Sequence, residues 1–189
     1  MTRLELRSPV ETERLLLRPF DLGDLDALYD IHSRADVARF LYWEPRSRDQ
    51  VRAVLNTKVE RTAIRVEGDS LALAACVKDT GELVGDLTIV WRSAADRTAE
   101  IGFIFHPAHQ GHGYATEAGR ALLRLAFEDL KCHRVVGRLE ARNVASARVL
   151  EKLGLRREAH FVENEFVKDE WQSELVYAIL DREWLGPKS

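Results

Sequence analysis

The stretch that decides the fold runs Ile101-Gly102-Phe103-Ile104-Phe105-His106-Pro107-Ala108-His109-Gln110-Gly111-His112-Gly113-Tyr114-Ala115-Thr116. It opens as an apolar strand and passes through a turn carrying Gly111 and Gly113. It then takes a helical period in which Ala115, Ala118, Gly119, Leu122 and Ala126 share one face. Such a turn leaves the backbone N–H groups of Gln110 to Thr116 at the positive end of a helix, which is the physical recipe for gripping phosphate or pyrophosphate. Glycine at 111 and 113 allows the turn and lets an anion approach without a Cβ in the way. A plain left-handed turn before a helix has the same local pattern. Two nucleotide loops match poorly. A Walker A loop ends in Gly-Lys-Ser/Thr, and no Lys occurs between Gly111 and Thr116. A dinucleotide fingerprint puts its glycines directly after the strand, whereas His106-Pro107-Ala108-His109 intervenes here and Thr116 stands at the third glycine position.

Upstream of this stretch, Leu71 to Val77 and Leu83 to Trp91 read as two strands joined at Asp79-Thr80-Gly81, and Thr98 to Phe105 completes a meander. Arg14-Leu15-Leu16-Leu17-Arg18 reads as a first strand stopped at Pro19. A helix capped by Asp24 follows, and a longer one is expected over residues 47–66. Downstream, the pattern predicts a helix over 113–129, a strand over 135–139, a helix over 143–153 ending on Gly154, and strands over 156–166 and 171–180. An antiparallel meander running into a βαβ-like half makes a mixed α/β sheet.

The chain has 189 residues, 46% hydrophobic and 31% charged, without linker or repeat, so one domain is expected. Its formal charge of -3 argues against a nucleic-acid binder by bulk charge. No apolar run reaches the roughly 20 residues that span a bilayer, so no membrane partner is expected. The N-terminal stretch Met1 to Arg7 alternates charge with Leu and does not read as a secretory signal. With only Cys76 and Cys132, a cytoplasmic chain with free thiols is the expectation. His106, His109 and His112 recur at three-residue steps, but Pro107 and Gly111 break any helix that would align them. They also lack a fourth ligand, so no metal is expected.

Gln110-x-x-Gly113-x-Ala115 after Ala99-Glu100-Ile101-Gly102-Phe103 resembles the coenzyme A loop of the GCN5-related N-acetyltransferase (GNAT) superfamily. Asn143-x-x-Ser146, leading through Leu150-Glu151-Lys152-Leu153-Gly154, resembles its second core motif. Thr12-Glu13-Arg14-Leu15-Leu16-Leu17-Arg18-Pro19 and the ending Trp171…Tyr177-Ala178-Ile179-Leu180…Trp184 resemble the RimJ/RimL-like ribosomal-protein branch. The resemblance implies a mostly antiparallel mixed sheet of about seven strands flanked by about four helices. It also implies direct attack of a neutral amine on acetyl-CoA, with coenzyme A thiolate leaving.

By this resemblance, Gln110, Gly111, His112, Gly113, Tyr114, Ala115 and Thr116 hold the cofactor. Phe103, Ile104 and Phe105 bind its pantetheine arm through a strand splayed from its neighbour. Asn143 contacts the same arm, although Asn at a helix start is also a good N-cap. Glu100 matches a glutamate base, against the alternative of an ion pair with Arg97 or another neighbour. Where the superfamily usually carries a tyrosine acid, this chain has Leu150. Ser146 matches the position at which the RimJ/RimL-like branch carries a serine that assists the thiolate, against the alternative of a small polar residue in the first helical turn. The acceptor site is expected between residues 40–44 and the acidic segment 163–170. Its aromatic and acidic character suits a cationic or peptide-like amine.

An α-amine is about a tenth neutral at pH 7 and lysine about one part in a few thousand, which favours a protein or peptide α-amine as acceptor. A small-molecule amine or antibiotic is the alternative, and a homodimer is left open. Two rivals from other classes are a non-catalytic acyl-CoA-binding module and a nucleotide-binding enzyme.

Overall fold

The computed structural model describes residues 4–6 and 8–184. Met1 to Arg3 and Arg7, part of the charged N-terminal stretch, lie outside them. The first elements are strands Leu4–Glu5 (β1), Val10–Glu11 (β2) and Leu15–Pro19 (β3), and helices Leu25–His32 (α1), Ala35–Ala38 (α2) and Arg48–Glu60 (α3). Strands Ala63–Ile64 (β4), Ser70–Val77 (β5), Leu83–Ser93 (β6) and Thr98–Phe105 (β7) follow. The second half comprises helix Tyr114–Arg124 (α4), strand Arg134–Glu140 (β8) and helix Val144–Lys152 (α5). It ends with strands Arg156–Val167 (β9) and Glu170–Leu180 (β10) and the short helix Asp181–Trp184 (α6).

Eight strands form one sheet in the order β2-β3-β5-β6-β7-β8-β10-β9, and β1 pairs with β4 beside it. Every pairing is antiparallel except β7 with β8. The expected fold class is therefore found, with the two-residue β2 as one strand more than the sequence pattern gives.

Burial on both faces explains the unbroken apolar run of β5. Leu71, Leu73 and Ala75 point into the core that α4 and α5 cover. Ala72, Ala74 and Cys76 point the other way, against Leu28 and Ile31 of α1 and Val51 and Leu55 of α3. The small residues on that second face let α1 and α3 sit close to the sheet.

Three expectations are corrected. The helix expected over 47–66 begins on a capping box, with Ser47 accepting from the Gln50 N–H and Gln50 accepting from the Ser47 N–H at 2.8 Å. It stops at Glu60, because Arg61 leaves helical torsions and Ala63–Ile64 is taken up in pairing with Leu4–Glu5. Asp24 does precede α1, but its carboxylate does not cap that helix. It pairs instead with Arg18 at 2.7 and 2.8 Å and accepts from the Asp21 N–H. The helix expected over 113–129 is α-helical only to Arg124 and winds as a π-turn over Leu125–Asp129.

Gly85 on β6 is required by packing. A Cβ there would stand 2.7 Å from Cε1 of Phe105, whose ring lies across the strand. Gly85→Ala should lower the unfolding free energy by about 1–3 kcal/mol through this overpacking. Urea denaturation checks it, and an unchanged midpoint would mean the ring yields without strain.

Candidate active site

The parallel pairing of β7 with β8 lasts three residues, Thr98 with Arg134, Ala99 with Val135 and Glu100 with Val136. Beyond that each strand follows its outer neighbour. β7 stays in register with β6 as far as Phe105 opposite Gly85, and β8 stays with β10 as far as Glu140 opposite Glu174. The strands part between them, leaving the inner edge of β7 from Ile101 to Phe105 without ladder partners. A cleft of about 1150 Å³ opens at this gap, with Glu100, Phe103, Ile104, Asn143 and Ser146 on its wall. Its roof comes from α1, α3 and the segment that joins α2 to α3, including Tyr42, Trp43 and Arg46.

The structure thus brings five of the sequence-derived residues together. Glu100 is one-fifth exposed, and its Oε2 accepts from Nε of Arg92 at 2.9 Å. The partner is Arg92 on the neighbouring strand, not Arg97. Asn143 is the N-cap of α5, its Oδ1 accepting from the Ser146 N–H at 3.1 Å, so the capping reading holds and its amide NH₂ remains free of that bond. Ser146 is half-buried on the first turn of α5 and lines the cleft. Leu150, one helical turn on, is buried against Gly137, where a Cβ would meet its methyl groups at 2.8 Å. An apolar side chain therefore fills the place of the missing tyrosine. Phe105 does not line the cleft; its side chain belongs to the core, packed over Gly85.

The loop from Gln110 to Thr116 lies outside the cleft lining, at the C-terminal end of β7. Gly111 and Gly113 both adopt left-handed torsions, φ +81° and +82°, and Gly113 is the N-cap of α4. A clamp from the start of β3 holds this loop. Arg14 donates through Nη1 to the His112 carbonyl at 2.8 Å and through Nε to Glu117 Oε2 at 2.8 Å. The Arg14 N–H and the Thr12 hydroxyl both donate to Glu117 Oε1, at 2.7 and 2.6 Å. The Arg14 guanidinium also lies 4.9 Å from the ring centre of Tyr114, which stacks with His112. Burial would raise the Glu117 carboxyl, but these donors together hold it below the usual carboxylate range.

Roof and floor are joined by a buried polar network that the sequence reading missed. Asp86 of β6, 4% exposed, accepts from Lys58 Nζ at 2.7 Å and from His32 Nε2 at 2.9 Å. Burial opposes its charge, yet Lys58 and His32 keep its carboxyl below the usual range. Arg46 donates to His32 Nδ1 at 2.9 Å, so these partners assign the imidazole its Nε2–H tautomer. The one signal for this site was a lone carboxylate inside the otherwise apolar strand Leu83 to Trp91.

The three loop histidines go separate ways. His106 Nε2 faces Asp30 at 3.2 Å, His109 Nε2 faces Glu82 at 3.0 Å, and His112 Nδ1 lies 3.0 Å from the Gln110 carbonyl oxygen. Burial pushes the Cys132 thiol up to about 12, which removes it as a nucleophile. Of the acidic segment expected at the acceptor site, Glu165 lines the cleft and accepts from the Tyr42 hydroxyl at 2.7 Å, whereas Glu170 pairs with Arg142. Among the described residues no helix is long and apolar enough to cross a membrane.

Residues 14–156 match the family model of the acetyltransferase (GNAT) domain. The chain is 31% identical to the uncharacterized N-acetyltransferase YnaD of Bacillus subtilis over 93% of its own length and 98% of that protein's. The GNAT-family acetyltransferase of Bacillus anthracis has a similar crystal structure, with TM-score 0.82 and 29% identity over 92% of this chain and 99% of that one. The spermidine N-acetyltransferase of Vibrio cholerae, solved in complex with CoA and spermine, shares the fold at TM-score 0.77 and 22% identity, with coverage of 92% and 99%.

The Glu117 clamp gives a pH dependence of defined sign. A carboxyl whose folded pKa is depressed contributes stability above its unfolded value, about 4.3, and loses it as pH falls through the folded value. The difference in urea midpoint between the parent protein and Glu117→Gln should therefore be largest near neutrality and shrink on acidification toward pH 3. A difference independent of pH would show that the charge on Glu117 contributes nothing.

Proposed function

We propose, from the premise that this chain belongs to the GNAT family of acetyltransferases and is an acyltransferase, that it acts as a single N-acetyltransferase domain moving acetyl from acetyl-CoA to a primary amine at the β7–β8 gap. The single observation that carries this reading is the parting of the two strands. It leaves unpaired backbone groups along β7 beside a carboxylate, an amide and a hydroxyl. When bound, acetyl-CoA supplies an acyl group already activated as a thioester.

The chain's own residues divide the remaining tasks. The N–H groups of Gln110 to Ala115, with the Thr116 hydroxyl, receive the pyrophosphate on the glycine turn at the N-terminus of α4. Phe103 and Ile104 offer backbone groups to the pantetheine arm, and the free amide NH₂ of Asn143 faces it from the other wall. Glu100 takes the proton from the attacking amine, directly or through a water, and Arg92 fixes its orientation. Ser146 donates a hydrogen bond toward the leaving sulfur. A hydroxyl is a poor acid beside a thiolate whose conjugate acid titrates near 8.5, so it acts as a donor and not as a proton source. The resemblance of Thr12 to Pro19 to the RimJ/RimL-like branch favours the α-amine of a protein or peptide as acceptor, with a small-molecule amine as the alternative. The polyamine named for the Vibrio relative is a poorer fit, because among the described residues Glu165 is the only cleft carboxylate not paired with a cationic side chain.

Release of free thiol from acetyl-CoA, followed across peptides, amino acids, polyamines and aminoglycosides, tests the activity. No release with any amine would overturn it. Glu100→Gln should cut the rate by about 10²-fold or more and shift the basic limb of the pH profile. Ser146→Ala should cost only about 1–3 kcal/mol of one hydrogen bond, with the pH profile unmoved. Full activity in Glu100→Gln would remove it as the base.

Gly113→Val should weaken acetyl-CoA binding far more than it weakens folding. The new side chain must take φ +82° and would approach Arg14 Nη2, which lies 3.4 Å from an added Cβ. Calorimetric titration checks this, and unchanged affinity in a folded variant would place the pyrophosphate elsewhere.

A further inference from the structure

Arg46 is a half-buried cation without an anionic partner among the described residues. Its one side-chain hydrogen bond among the described residues runs from Nη1 to His32 Nδ1 at 2.9 Å, and its guanidinium carbon lies 4.1 Å from the ring centre of Trp43. Burial lowers its pKa, and the charge of Asp86 only partly offsets this. The other cations on the cleft wall are differently placed. Lys58 has Asp86 at 2.7 Å, Arg92 has Glu100 at 2.9 Å, and Arg138 grips Glu174 through two bonds of 2.8 and 2.7 Å. Arg134 has Glu158, and Arg61 stands exposed to solvent at the end of α3.

The guanidinium of Arg46 is also held in place. Trp43 supports one face, and Trp43 itself packs against His32 with ring centres 4.9 Å apart and planes tilted by 37°. His32 is fixed by Asp86, which Lys58 fixes in turn. A half-buried charge held this firmly, with most of its donors unused among the described residues, is a prepared receptor for an oxyanion. The fork of an arginine matches a carboxylate or a phosphate bidentately. Of the cleft carboxylates, by contrast, Asp86, Glu100, Glu140 and Glu174 each face a cationic side chain, so a second positive charge on the acceptor would find little beyond Glu165 to neutralise it.

We propose that the acceptor is an amine that also carries an oxyanion, carboxylate or phosphate, and that Arg46 in the cleft roof binds the oxyanion while the amine reaches the β7–β8 gap at Glu100. This rests on the acetyltransferase reading and narrows its substrate class to zwitterionic amines.

Matched pairs of acceptors test it: α- and ω-amino acids against their primary amides, and phosphoethanolamine against ethanolamine, with spermidine as an acceptor that has no oxyanion. Thiol release at saturating acetyl-CoA should favour the oxyanion member of at least one pair by about tenfold or more in kcat/KM, as a charge-assisted bidentate contact implies. The amino acid and phosphate pairs identify which oxyanion is used. Arg46→Gln should collapse that ratio to near one, with the loss in acceptor KM and not in kcat. Arg46→Lys, a point charge without the fork, should keep part of it. A ratio near one in the parent protein, or one that survives in Arg46→Gln, overturns the proposal, as does preferred use of spermidine. Should no amine release thiol, the acetyltransferase reading fails by itself. Calorimetric binding of the same pairs to CoA-loaded protein then decides the role of Arg46: a preference lost in Arg46→Gln supports it, and equal binding overturns it.

Discussion

The architecture depends on one short parallel contact. Antiparallel neighbours can be joined by a hairpin, but placing β8 parallel to β7 forces the chain to cross from one end of the sheet to the other. Helix α4 makes that crossing, so its N-terminus stands at the C-terminal end of β7 and the glycine turn must lie there. Because the contact is only three residues long, the same pair of strands that requires the crossover also opens the gap. Loop and cleft are thus two results of one pairing.

The two faces of the sheet are fastened by different means. On the α4–α5 face, apolar packing does the work: Leu153 lies over Gly119, where a Cβ would be 2.5 Å from its methyl group, and Leu150 lies over Gly137. On the α1–α3 face the apolar contact is built on small residues, and the buried Asp86 links both helices to the sheet through His32 and Lys58. A carboxylate buried this deeply costs free energy unless both oxygens are engaged, and here each has a partner. The same residues that secure the roof therefore also fix the orientation of the side chains it turns toward the cleft.

Much of this was legible in the sequence, for reasons of range. The glycine turn, the start of α3 at Ser47, the Asn143 cap and the Gly154 stop are set by residues three or four apart, and each lies where the local pattern places it. The misses are set by distant partners. Residues 61–66 look helical until Ala63–Ile64 is claimed by Leu4–Glu5. Asp24 looks like a cap until Arg18 is brought beside it across a tight turn. The partner of Glu100 could not be named without the β6–β7 register, which offsets Arg92 from it by a bulge. The His32–Asp86–Lys58 network joins three elements whose mutual positions only the folded sheet defines.

The clamp of Thr12 and Arg14 on Glu117 has a thermodynamic meaning. It ties the first central strand to the turn that begins α4, across about a hundred residues of chain. Docking of the strand and ordering of the turn then draw on one conformational equilibrium, in which each makes the other less costly. Linkage makes such a coupling reciprocal, so a ligand that orders the turn tightens the hold on the N-terminal strand by the same factor by which the docked strand tightens the ligand. The N-terminal segment, remote in sequence from the glycine turn, is in this sense a second ligand of the loop, one that the chain carries with it.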